Sequence, residues 1–143
     1  MINIENITII NKPVADVFAV AHDPSKTTQW QTDVEAVEYA GGPFGVGTQF
    51  TEVRKFMGKE MRTMMEVTAH EPGQRLGMKA LNGPVKFEVN VTFEPIETGT
   101  KMVTVVQAEP GGFFKLAEGA VAKQLEKSIK EDNDRLKALL EAK

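Results

Sequence analysis

Apolar residues follow two spacings along this chain. From about residue 32 to Glu109 they alternate in short runs separated by turn residues, and from Phe113 almost to the C-terminus they recur every three or four positions. Alternation predicts half-buried strands, and the longer period predicts an amphipathic helix. A helix of about 28 residues is about 42 Å long at 1.5 Å per residue, so it has to cross several strands to cover its apolar stripe. The order of the two regimes predicts a curved antiparallel sheet closed by one long helix, with a cavity between them.

The clearest strand covers residues 85–93. Val85, Phe87, Val89, Val91 and Phe93 fall on one face, and Lys86, Glu88, Asn90 and Thr92 on the other. At the N-terminus Ile2, Ile4, Ile7, Ile9 and Ile10 read as a first strand whose alternation slips at Glu5-Asn6, which predicts a bulge. Pro13 with Asp16 opens a short helix over residues 13–21, and Asp23-Pro24 opens a second that carries Trp30. Strands follow at 34–39 and 48–56, and later reversals are marked by Gly58-Lys59, Pro72-Gly73, Asn82-Gly83 and Thr98-Gly99. Asn-Gly is the strongest of these signals, since it suits a two-residue type I′ hairpin. The helical stripe runs Phe114, Ala117, Val121, Leu125, Ile129, Leu136 and Leu140. Glu126 with Lys130, and Glu131 with Arg135, are i,i+4 pairs on its solvated side. Gly119 within the helix marks close approach to the sheet, room for a ligand, or a surface position.

Composition narrows the class of function. The 143 residues make one domain, 1–143, with no cysteine and a net charge of −3 from interspersed signs. Disulfides and thiolate chemistry are excluded, and no basic block offers a nucleic-acid footprint. No run reaches the length of a membrane span and the start lacks the pattern of a signal peptide, so a cytoplasmic protein is expected. His22 and His70 have no neighbours at metal-ligand spacing, and Ser25 and Ser128 lie outside any nucleophile-elbow setting. No metal and no cofactor is expected.

Several words in the chain occur in a familiar order. They are Ile9-Ile10-Asn11-Lys12-Pro13-Val14-Ala15-Asp16-Val17-Phe18, then Asp23 followed by Trp30, then Gly45-Val46-Gly47-Thr48-Gln49-Phe50, then Val67 through Glu71-Pro72 to Leu76, then Glu94-Pro95 followed by Gly99-Thr100. In that order the whole chain resembles the helix-grip fold of the START and Bet v 1-like superfamily, in its bacterial polyketide cyclase/dehydrase and lipid-transport branch. The resemblance implies an α+β architecture: a curved antiparallel sheet of six to seven strands, two short helices after strand one, and a long C-terminal helix across the concave face. It also implies a ligand cavity between sheet and helix. Members of such families include carriers, binders, cyclases and interaction modules, so the resemblance implies apolar binding and no particular reaction.

With the cavity so placed, parity decides which side chains reach it. Trp30, Phe50, Glu52, Arg54, Thr63, Met65, Met78, Phe87, Val89, Met102, Thr104, Phe114, Ala117 and Val121 are the expected ligand contacts, whereas His70 falls on the outward parity. Six of the seven methionines lie between residues 57 and 102, four of them inward, where flexible thioethers suit either an adaptable cavity or a plain core. Glu52 and Arg54, two apart on one face, suit an ion pair that orients the polar end of a ligand.

Three functions remain open on this reading. The first is binding or carrying a hydrophobic or amphipathic small molecule such as a lipid, isoprenoid or polyketide-like compound. The second is a cyclase, dehydratase or isomerase with Glu52 as acid or base and Arg54 stabilising negative charge. The third is a cochaperone- or toxin-like interaction module, for which Met64 and Val53 are the outward apolar residues. The oligomeric state stays open between monomer and homodimer.

Overall fold

Two twelve-residue strands, Val85–Ile96 and Gly99–Pro110, pair along their whole length and form the backbone of a single sheet. The computed structural model describes residues 1–56, 58–83 and 85–143, so Met57, one of the methionines counted above, lies outside the described residues. In chain order the elements are β1 (Ile2–Ile10), α1 (Val14–Ala21), a 3₁₀ helix (Pro24–Gln29), β2 (Val34–Glu38), β3 (Gln49–Phe56), β4 (Lys59–Glu71), β5 (Arg75–Ala80), β6 (Val85–Ile96), β7 (Gly99–Pro110), α2 (Phe113–Leu116) and α3 (Glu118–Glu141). The sheet is seven-stranded and antiparallel in the order β1-β7-β6-β5-β4-β3-β2, so β1 and β2 are its edges. This is the helix-grip architecture.

Three sequence expectations need correction. The bulge at Glu5-Asn6 is not there: β1 pairs with β7 in unbroken register from Ile2 opposite Ala108 to Ile10 opposite Thr100. The slip in the apolar pattern has another cause. Asn6 and Thr8 occupy inward positions, while Ile7 and Ile9 face outward at 52% and 40% exposure. Next, Trp30 caps the C-terminal end of the 3₁₀ helix and is not carried inside it, and Asp23 caps the start by accepting from the Ser25 N–H at 2.9 Å. Last, the final helix is two helices. Ala117 leaves helical geometry at φ −111°, ψ 29°, and α3 starts only at Glu118.

Smaller differences follow from the same geometry. Gly119 falls in the first turn of α3, exposed, with nothing within 4 Å of where a Cβ would stand, so it is a surface glycine. The ion pairs along α3 are Lys127–Glu131, Lys130–Asp134 and Lys137–Glu141, in place of Glu126–Lys130 and Glu131–Arg135. The Asn82-Gly83 signal falls past the end of β5 at Ala80, where the Asn82 side chain accepts from the Met64 N–H. Of the two outward apolar residues expected, Met64 is exposed but Val53 is buried.

The core lies between the concave face and the helices, and it is divided. Ile10, Val17, Phe18, Leu76, Phe93 and Met102 pack on Leu136 and Leu140 near the C-terminal end of α3. Ile4, Phe56, Val85, Val106 and Phe114 pack on Val121 near its start. Between these two clusters the inward face of α3 turns polar. That change of character sets the position of the cavity.

Candidate functional site

α3 buries Val121 and Leu136, yet the residues between them on the same side include Ser128, Asp132 and Asn133, all buried. The spacing that makes an apolar stripe, i, i+3, i+4, i+7, brings these three to the sheet-facing side. Opposite them stand the inward side chains of five strands. A cavity of about 130 Å³ opens there, walled by Met61, Met65, Met78, Phe87, Val89 and Met102 on the sheet and by Leu125 and Ile129 on α3. Further apolar side chains join that wall, and one part of the lining is polar, formed by Gln31, Glu52, Arg54, Thr104, Ser128, Asp132 and Asn133, with Trp30 beside them.

The polar wall is heavily cross-linked. Arg54 Nη2 donates to Glu52 Oε1 at 2.9 Å and to Gln31 Oε1 at 3.3 Å. Ser128 Oγ donates to Asp33 Oδ2 at 3.0 Å and accepts from Gln124 Nε2 at 3.1 Å. Asp132 Oδ1 accepts from both the backbone N–H and the hydroxyl of Thr32, each at 3.3 Å. Asn133 Nδ2 donates to Asn6 Oδ1 at 3.0 Å and to Thr104 Oγ1 at 3.2 Å, and Thr8 Oγ1 donates to the same Asn6 oxygen. Among the described residues two buried donors have no partner, Trp30 Nε1 and Arg54 Nε.

Burial pushes the Asp132 carboxyl up to about 6, and the charge of Asp33 adds to the rise. The Thr32 hydrogen bonds and the Arg54 guanidinium pull the other way without cancelling it. A cavity-lining carboxyl that changes charge near neutral pH is therefore part of the site. Sequence reasoning missed it, together with Ser128 and Asn133. The signal was available: carried strictly, the helical spacing places positions 128, 132 and 133 inward, but polar residues in an apolar stripe read as interruptions.

Of the contacts expected from sequence, Trp30, Glu52, Arg54, Met65, Met78, Phe87, Val89, Met102 and Thr104 do line the cavity. Phe50, Thr63, Phe114, Ala117 and Val121 do not. Each has a physical reason. Phe50 packs with Met65 and Val67 in a separate cluster, and Phe114 and Val121 fill the core at the start of α3. Thr63 points inward but lies buried near the turn glycine Gly83, and Ala117 sits in the break between α2 and α3.

His70 is also corrected. The register of β4 with β5 shifts between Val67 and Ala69, and this bulge brings His70 opposite inward-facing Leu76. His70 Nε2 comes to 3.5 Å from His22 Nδ1, and both rings pack against Phe18 and Phe44. The pair lies outside the cavity wall. Tyr39 likewise serves its own loop, its hydroxyl donating to the Gly42 carbonyl at 2.6 Å. No helix among the described residues is long and apolar enough to cross a membrane.

A family model described as polyketide cyclase / dehydrase and lipid transport matches residues 1–141. No curated protein matches the chain. Solved structures share the fold at low identity. Ara h 8.0201 is 15% identical with a TM-score of 0.76, over 99% of this chain and 98% of its own. TTHA0849 from Thermus thermophilus is 23% identical with a TM-score of 0.73, over 96% of this chain and 97% of its own. CV1439 from Chromobacterium violaceum is 15% identical with a TM-score of 0.75, over 99% of each.

Proposed function

Because this chain belongs to the polyketide cyclase/dehydrase and lipid-transport family, we propose that it binds a small amphipathic molecule in the cavity between its sheet and α3. The observation that carries the reading is the division of the wall: methionines, aromatics and branched aliphatics on one side, a hydrogen-bonded polar group on the other. Such a wall takes an apolar body and orients one polar end. Size refines the class. A cavity of about 130 Å³ is close to the roughly 150 Å³ that holds a benzene ring, so a single ring or short chain fits, and a long acyl chain or fused-ring polyketide extends past it.

An environment-sensitive apolar dye, with native mass spectrometry for any copurifying molecule, tests this. Val89→Trp and Ile129→Trp fill the cavity and should lower dye binding, whereas Ala117→Trp should not. Equal dye binding by all three defeats the reading.

A second reading, proton transfer on the bound molecule, is favoured by Asp132, whose pKa of about 6 beside Arg54 suits acid–base work near neutrality. It moves the candidate base from Glu52, which is held by Arg54, to Asp132. Deuterium uptake from D₂O into the copurified molecule, lost in Asp132→Asn, would establish it. Uptake that does not depend on Asp132 would rule it out.

A further inference from the structure

The charges around the cavity are lopsided. Glu52 and Arg54 come from β3, Asp132 comes from α3, and Asp33 stands one hydrogen bond behind the cavity-lining Ser128. Strands β4 to β7 add no titratable side chain to the lining among the described residues. One guanidinium therefore faces three carboxyl groups, and its Nη2 is already bonded to Glu52 and Gln31. The two unpartnered donors do not redress this, since Trp30 Nε1 and Arg54 Nε are sealed from the cavity surface. Apart from Arg54 Nη1, on the guanidinium that already faces the three carboxyl groups, the donors left on the wall, the Gln31 amide and the Thr104 hydroxyl, are neutral.

From this arrangement we propose that the cavity selects a molecule whose buried end is a hydrogen-bond donor, a hydroxyl or an ammonium, and turns away the carboxylate of the same skeleton. The inference rests on the reading that the cavity binds a small molecule. Asp132 carries both Thr32 bonds on Oδ1, so Oδ2 is the acceptor a ligand O–H or N–H meets. The elevated pKa of Asp132 supports this, because it marks a poorly hydrated spot where a second anion meets little screening. A carboxylate brought there adds a further negative charge to a site where one guanidinium, already paired with Glu52, faces three carboxyl groups.

Toluene, benzyl alcohol, benzylamine and benzoate, titrated at pH 8 with dye displacement as the readout, form the test. All match the cavity in size, and toluene reports on the apolar part alone. Benzyl alcohol and benzylamine are expected to bind at least about tenfold more tightly than benzoate. Asp132→Asn should shrink the ratio of benzylamine to benzoate affinity while leaving toluene unchanged. The alcohol and amine arms tell a neutral donor from a cationic one. If toluene binds but benzoate matches or exceeds the other two, the charge selection is wrong and the cavity reading stands. If neither the dye nor toluene binds, both are wrong.

Discussion

Asp132 and Asn133 are neighbours on α3 and hold opposite edges of the sheet. Asp132 accepts from Thr32, just before edge strand β2, while Asn133 donates to Asn6 on the other edge strand, β1. At 8% and 4% exposure both are buried, so each bond closes the sheet around the helix in a setting where an unmet partner is costly.

Removing the Asn133 amide takes away the donor to Thr104 Oγ1 and leaves Asn6 Oδ1 with the Thr8 hydroxyl alone. Asn133→Ala should destabilise by about 1 to 3 kcal/mol in urea unfolding. A double-mutant cycle with Asn6→Ala should give a coupling of about 0.5 kcal/mol or more. Additive effects would show that the contact is not formed in solution.

Asp132 predicts a pH dependence with a definite sign. Its folded pKa of about 6 stands above the ordinary value of 3.8, so the folded state binds more protons and stability falls as pH rises from about 4 to 6. Above pH 6 the ionised carboxylate costs stability. Asp132→Asn, which keeps the oxygen that accepts from Thr32, should therefore stabilise by about 1 to 2 kcal/mol at pH 8. The gain should vanish by pH 4. A gain independent of pH would refute the assignment.

His22 has the opposite sign. Burial lowers its pKa below 6.5, with the nearby His70 acting in the same direction. Its contribution is fully present above pH 6.5 and is lost as pH falls below it. NMR titration should place the His22 midpoint under 6.5, and His22→Gln should flatten the stability profile on the acid side. A midpoint at or above that value would contradict the packing described.

The register of β1 makes a sharp contrast between neighbours. Ile9→Thr and Ile7→Thr on the outer face should change stability by no more than about 0.5 kcal/mol. Ile10→Ala, fully buried, should cost about 2 to 4 kcal/mol. The reverse ranking would restore the bulge.

The succession of strands along the chain, the two short helices and most of the inward parity on β3 to β7 were legible in the sequence, because period-two alternation and turn residues act locally. Parity failed where the backbone departs from regularity. The bulge between Val67 and Ala69 turned His70 inward, beside Gly77, where a Cβ would stand 2.7 Å from Thr68 Oγ1. It also failed where a buried residue is polar. Asn6 stood where the alternation of β1 slips, and Asp132 fell outside the apolar stripe as read, since the partners that make their burial tolerable are 127 and 100 positions away. Phe50, Phe114 and Val121 point inward as read, but facing inward does not decide between filling the core and lining its gap.

The first strand of this sheet pairs only with the last. β1 needs β7, and Asn6 finds Asn133 across 127 positions, so seating this strand waits on residues far along the chain. Contacts so distant in sequence slow folding. A chain without α3 leaves Ile2, Ile4 and Ile10 without their cover, and the cavity exists only once α3 is in place. In pulse-labelled hydrogen exchange the amides of β1 should gain protection together with those of α3, after the β3–β4 hairpin.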